Sequence, residues 1–312
     1  MTAAAATPEL LENGVQNTGF FSRLTAIWGY RELLSSLARR ELKVKYKDSA
    51  IGFLWSLLNP LLYLAIFSVV FGIIIRNAEV RFYAIYLLAG LLPFNLFSLG
   101  LTAATTSITA NSSLVQKVWF PREILPISAF AANFITFCLQ MLILFAAMAI
   151  FGIAPAWELI YLLIPATAIT LLLGAGTGVL LSALNVYFRD VQHFLELALL
   201  VLFWFTPIVY PLSFLTNNLP ADTFVGERLG LLNPLTPIVT VFHRVLYNPG
   251  NFERVSADGT VPEAGGWVFD VVLRGQGWHL GNLLIPAVLA AFMVYFGFKI
   301  FSRLEGNLGE QL

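Results

Sequence analysis

From Ile124 to Phe151 the chain runs without one charged side chain, and from Leu159 to Ala183 it does so again. Apolar runs longer than about 20 residues can cross the ~30 Å hydrocarbon layer of a bilayer as helices. Inside that layer every backbone amide must be bonded within its own segment or within a closed barrel, so helix is the structure open to such runs. Composition agrees: 58% of residues are hydrophobic and 12% charged, with a mean hydropathy of +0.78, where soluble domains carry about 25% charged residues. The expected fold class is therefore an all-α integral membrane protein.

Before the first span lies the stretch that sets its direction, Tyr30 to Leu62. It begins as a basic amphipathic helix and becomes apolar within a few residues. At helical periodicity Tyr30, Leu33, Leu34, Leu37 and Val44 share one face and Arg39, Arg40, Lys43 and Lys47 the opposite one. Such a helix lies at the headgroups, its charges toward water and anionic lipid. Glu41 breaks the pattern by projecting from the apolar face; Lys45, four residues on, can neutralise it, and contact with a partner protein is the alternative. Residues 1–21, Ala-rich and then polar, read as a disordered tail. They have no basic segment leading into an apolar core, so no cleavable leader is expected.

Six spans are expected, at residues 52–75, 82–108, 124–151, 159–183, 194–210 and 280–301, the fifth being short. Of the eighteen Lys and Arg residues, twelve fall on one side: seven in residues 1–51, Lys117 and Arg122 in one loop, Arg189 in another, and Lys299 and Arg303 near the end. The positive-inside rule makes that side cytoplasmic, with both termini on it. Leu229 to Tyr247 is apolar enough to tempt a seventh span, but Pro234, Pro237, His243 and Arg244 and the even count favour a re-entrant hairpin. The polar, Gly-rich residues 248–277 read as an external loop. The division is thus a tail (1–21), an interfacial helix (22–50), a transmembrane domain (51–303) holding the external segment 211–279, and a cytoplasmic tail (304–312).

Several chemistries find no support. His193, His243 and His279 adjoin no second metal ligand at useful spacing, so no metal site is assigned, and each reads as a loop or interfacial residue. No carboxylate lies deep in an expected span, which argues against ion-coupled transport. Gly174 to Gly178 lacks the lysine of a phosphate-binding loop and reads as a site of close helix packing. Cys138, the one cysteine, reads as a buried inert thiol. Two cytoplasmic loops are more informative, Asn111–Glu123 with Trp119 and Phe120 beside Pro121, and Asn185–Asp190 with Tyr187 and Phe188 beside Arg189. Aromatics flanked by charge on a short loop suit docking into a soluble partner; an interfacial aromatic belt explains them equally.

The run RELLSSLARRELKVKYKDSAIGFLWSLLNPLL (31–62) resembles the opening of ABC-2 type permeases that export polysaccharides. AGLLPFNLFS (89–98), SSLVQKVWFPREILP (112–126), ALNVYFRDVQHF (183–194) and FTPIVYP (205–211), followed by LNPLTPIV (232–239), agree in the same order. Within that family the resemblance is to permeases for O-antigen, teichoic acid and galactan. It implies a half-transporter of six transmembrane helices per subunit, with an N-terminal interfacial amphipathic helix and re-entrant external gate helices. It implies a homodimer in the bacterial inner membrane that binds two copies of a separate ABC ATPase subunit. ATP and Mg are bound by that partner, so this chain carries no cofactor, is not an enzyme and has no nucleic-acid partner. The substrate implied is a lipid-linked polysaccharide, carried on undecaprenyl or decaprenyl pyrophosphate. The polar insertion 248–277 is longer than the family pattern.

Residue by residue, the resemblance makes Ser112–Arg122 a coupling helix, with Leu114, Lys117, Trp119, Phe120, Pro121 and Arg122 facing the ATPase, joined by Glu41, Arg189 and Asp190. Sugar C–H faces stack on aromatic rings, so Trp55, Tyr63 and Phe67 on one face of the first span, with Phe203 and Trp204 on the fifth, are the candidate glycan path; lipid-facing or packing roles are the alternative. Arg39, Arg40 and Lys43 are candidates to attract the carrier pyrophosphate at the cytoplasmic entrance, where ordinary positive-inside anchoring also explains them. Two rival functions are an ABC-2 exporter of small hydrophobic drugs or lipids, and a membrane-embedded glycan- or lipid-modifying enzyme, which would need a carboxylate or histidine cluster at a membrane face.

Overall fold

Long apolar runs that must satisfy their own amides fold as helices, and helices make up the architecture. The structure, a computed structural model, describes residues 19–45, 47, 54–70, 82–210, 233–247 and 276–311. In chain order these form α1 (Phe20–Gly29), α2 (Arg31–Lys45), α3 (Leu54–Val69), α4 (Tyr83–Ala110), α5 (Ser112–Lys117), α6 (Ile124–Ile150), α7 (Leu163–Tyr187), α8 (Val191–Phe205), α9 (Leu235–Phe242), α10 (Gln276–Leu304) and α11 (Leu308–Gln311). A 3-10 turn, Trp157–Leu162, leads into α7, and a π turn, His243–Tyr247, follows α9. No strand occurs among the described residues.

Helix α4 is the axis. It is apolar on every side, and such a helix must be enclosed; α3, α6, α7, α8 and α9 all pack on it. Its run of hydroxyls is accommodated because each donates to its own helix: Thr102 to the Ser98 carbonyl at 2.9 Å, Thr105 to Leu101 at 2.8 Å and Ser107 to Ala104 at 2.7 Å. Gly100 of α4 and Gly174 of α7 together form the notch that takes the Phe130 ring of α6. The Gly174–Gly178 run does serve close packing: a Cβ at Gly176 would lie 2.6 Å from the Val294 amide nitrogen, so α7 and α10 touch backbone to backbone there.

Among the described residues four helices, α4, α6, α7 with its 3-10 lead, and α10, are long and apolar enough to cross a membrane. Helices α3 and α8, at the first and fifth expected spans, have 16 and 15 residues. Residues 71–81, where the first expected span ends, lie outside the described residues, as do the tail 1–18 and the segments 211–232 and 248–275.

The structure corrects several expectations. The amphipathic segment is two helices that part at Tyr30, after the poor helix former Gly29. It starts at Phe20, inside the expected tail, and of its apolar face Leu37 is buried while Val44 is exposed. Leu235–Phe242, where no seventh span is expected, needs no such correction: it is fully buried and its eight residues extend only about 12 Å, short of a span. His243 and His279 are buried, not loop residues, and Cys138 is exposed on the outer surface of α6.

Candidate functional site

One end of the bundle gathers segments far apart in sequence. A second apolar core, separate from the one around α4, joins Leu37 of α2, Ile108 of α4, Val115 and Phe120 of the loop after α4, Val186 of α7, Phe301 of α10 and Leu308 of α11. The loop is seated by these contacts. Val115 and Phe120 point inward, at 5% and 4% exposure, so that Lys117, Val118 and Trp119 are left facing out.

Polar contacts pin the same loop at both ends. At its start the Arg40 guanidinium donates to the Asn111 side-chain oxygen, while Asn111 Nδ2 donates to the Ser107 carbonyl at 2.8 Å. At its end Glu123 is buried and paired with Arg23 of α1, and the same Arg23 nitrogen lies 3.0 Å from Glu305 Oε2. Arg122 donates to the Glu305 carbonyl at 2.8 Å, and Tyr187 to the Leu304 carbonyl at 2.9 Å. Thus α1, the loop, the end of α7 and the tail after α10 form one unit. Burial and the neighbouring Glu305 hold the Glu123 carboxyl above its ordinary range, with Arg23 opposing them.

The expected coupling residues therefore separate. Lys117 and Trp119 are presented outward, Leu114 and Arg122 are half-buried, and Phe120 and Pro121 are buried supports. Arg189 and Asp190 are exposed at the same end, beside Phe188 at 66% exposure. Glu41 is not with them: with Lys45 it lines a crevice of about 310 Å³ between α2, α4 and α6, together with Thr102, Asn133 and Thr136. Arg39, Arg40 and Lys43 line an open cleft of about 870 Å³ along α2, with Arg31, Glu32, Ser35 and Ser36. No group of His, Cys, Asp and Glu suited to a metal occurs among the described residues.

The aromatic candidates also divide. Trp55 and Trp204 are exposed and Tyr63 is half-buried, whereas Phe203 packs edge-on against Phe94 of α4 at 5.3 Å. Phe67 lies on α3, but its side chain is outside the described residues.

At the opposite end of α4 the chain after α8 is tied down. Tyr86 donates to the Tyr210 carbonyl at 3.2 Å, and Tyr83 donates to that of Val209. Asn233 donates to Thr206 at 2.8 Å and accepts from the Leu235 amide at 3.0 Å, starting α9. His243 stacks on Tyr86 at 3.9 Å, with Tyr247 edge-on to the same ring at 5.4 Å. Gly90 is the position that lets His243 approach α4.

Arg23, Glu123, Glu305 and Asn111 were not singled out from sequence. The available signal was Glu123, a carboxylate at the threshold of an uncharged apolar run, where an unpaired charge is costly. Arg23, which pairs with it, lies 100 residues from Glu123 and 282 from Glu305, so the cluster left no local pattern.

Comparison with known proteins matches residues 32–247 to the ABC-2 type transporter family. The chain is 31% identical to the O-antigen export system permease protein RfbA of Myxococcus xanthus, over 71% of this chain and 82% of the relative. It is 29% identical to the protein of the same name from Klebsiella pneumoniae, over 72% and 84%. It is 26% identical to the polysialic acid transport protein KpsM of Escherichia coli, over 66% and 78%.

Proposed function

Because the chain belongs to the ABC-2 type transporter family, we propose that it is the membrane-spanning permease subunit of an ATP-driven exporter of lipid-linked polysaccharide. The observation that carries this is the match to O-antigen export and polysialic acid transport proteins across most of both chains. The outward Lys117–Trp119 surface, braced from behind by Phe120 and Val115, supports a docking role for the loop.

The finer reading has six spans, α3, α4, α6, α7, α8 and α10, in the bacterial inner membrane. The end that gathers α1, α2, α5 and α11 faces the cytoplasm, in keeping with its Lys and Arg content. Two copies pair, and each engages one separate ATPase subunit, which binds ATP and Mg. ATP-driven closure of those subunits pushes on Lys117 and Trp119, with Arg189 and Asp190 at the rim. The exposed rings of Trp55 and Trp204 offer stacking surfaces for sugar faces, and the Arg39–Lys43 cleft offers charge for the carrier pyrophosphate. The segment around α9, tied to Tyr83 and Tyr86, acts as the external gate.

The test is ATP hydrolysis by the permease co-purified with its ATPase in lipid, with and without lipid-linked glycans. Stimulation by glycan carrier that is lost in Trp119→Ala is the expected result. Stimulation by small amphipathic drugs and none by glycans would transfer the reading to a drug or lipid exporter. Absence of any co-purifying ATPase would overturn the exporter reading.

A further inference from the structure

We propose that Arg23, Glu123 and Glu305 are positioning residues that weld the docking loop to α1 and to the segment after α10, so that a push on the loop moves α1, α6 and α10 together. This rests on the reading of Lys117–Trp119 as the docking surface. In that reading alone, force entering the loop passes into α4 and α6, the helices it directly joins. The side-chain contacts add a second route. Glu123, the residue before α6, meets Arg23 of α1. Arg23 also meets Glu305, the first residue after α10, and the Glu305 carbonyl accepts from Arg122, next to Glu123. Glu305 is therefore held twice, once by each arginine.

Stability alone is a poor account of this arrangement. Replacing a buried ion pair with neutral groups of similar shape often leaves stability unchanged or improves it. Here one guanidinium serves two carboxyls, and Oε2 of Glu123 is buried without a partner. What the cluster does provide is direction: a guanidinium fixed between two carboxyls determines the relative placement of three segments, which apolar packing leaves freer to slide. Helix α10, which packs on α7 and α9, then carries the displacement along its length.

The test uses the permease–ATPase complex in lipid, with Cys138→Ala and spin labels at Ser113 in the exposed part of α5 and at exposed Arg303 near the end of α10. In the otherwise unchanged chain the label-to-label distance stays the same between nucleotide-free and ATP-trapped states, because the two sites move as one body. In the neutral triple variant Arg23→Met, Glu123→Gln, Glu305→Gln the ATPase still binds, but the distance distribution at least doubles in width on ATP trapping. Glu305→Gln alone gives the same broadening, and Glu305→Asp restores most of the narrow distribution. Glu305 is partly solvent-accessible, so these single variants carry the test if the triple variant does not fold. A triple variant, or a Glu305→Gln variant, with the unchanged chain's narrow distribution in both states overturns the proposal. An Ser113 label whose mobility is unaffected by ATPase binding overturns it by a separate route, since the loop would then not be the docking surface at all.

Discussion

Gly176→Ala places one methyl group where α7 and α10 touch. The added Cβ would lie 2.6 Å from the Val294 nitrogen and 2.8 Å from both the Met293 carbonyl carbon and the Val294 Cα, whereas ordinary contact begins at 3.4 Å. All three atoms are backbone, so no side chain can rotate aside and the helices must part by roughly 0.8 Å. A gap of that size forfeits about a quarter to a half of each pairwise dispersion contact along the seam, and overpacking of this kind costs about 1–3 kcal/mol. Alanine's better helix propensity returns about 0.5–1 kcal/mol. The net expected loss is centred on about 1 kcal/mol and reaches at most about 2.5 kcal/mol, a fall in Tm of roughly 2 °C for a chain of this size at about 2.1 cal/mol/K of unfolding entropy per residue. The assay is tryptophan-fluorescence unfolding of the purified chain in detergent. Gly281→Ala in α10 is the control: nothing lies within 4 Å of its added Cβ, so it should leave Tm unchanged or raise it. Equal Tm values for Gly176→Ala and the unchanged chain would refute the backbone contact between α7 and α10.

Three further outcomes follow from the same contacts. A Cβ at Gly90 would come within 2.9 Å of His243 Cε1 and closer still to Nε2, so Gly90→Ala should destabilise while Gly90→Ala with His243→Ala recovers about 1 kcal/mol or more in a double-mutant cycle; additive losses would show that the two residues do not meet. The raised Glu123 carboxyl binds its proton more tightly in the folded chain than the 4.5 of a free carboxyl, so its contribution to stability is complete below that value and is lost as pH rises through the folded value. Hydrogen exchange of the loop amides should therefore quicken from about pH 4.5 toward neutrality beyond the intrinsic chemical rate, and Glu123→Gln should flatten that excess; an unchanged slope would refute it. Cys138, exposed midway along α6, should react with an apolar, membrane-soluble maleimide and resist a charged, membrane-impermeant one, and the reverse pattern would take α6 out of the bilayer.

Much of the architecture was legible because bilayer physics acts on composition. The uncharged runs that open at Ile124 and Leu159 became α6 and α7, within a few residues of their expected ends. The polar-free interpretation of Gly174–Gly178 held because a membrane helix leaves small residues few roles beyond close approach. The family was legible too, since five motifs in order reach across most of the chain.

Residues at the end of the bundle that holds α5 were harder to sort. Trp119 and Phe120 are neighbours of the same chemical type, yet one is 40% exposed and the other 4%. The chain is extended at Val118, where no helical periodicity assigns faces, and the packing of Ile124, Val186 and Phe301 decides which ring turns inward. Glu41 was grouped with the loop on sequence, but the direction in which α2 crosses α6 carries it into the crevice instead. His243 looked like a loop residue because polarity is judged locally; burial followed from Gly90 and Tyr86, which lie on a helix more than a hundred residues earlier.

Sequence by itself determined what each segment must be: helix in the apolar runs, an amphipathic helix where basic and apolar faces alternate, and membership of a transporter family through motif order. Those properties follow from hydropathy and local periodicity, which are summed over neighbours in the chain. Tertiary structure alone decided which charges meet. Arg23, Glu123 and Glu305 are drawn together because burying any one of them unpaired is costly, and that cost acts only once α1, the loop and the end of α10 already share one surface.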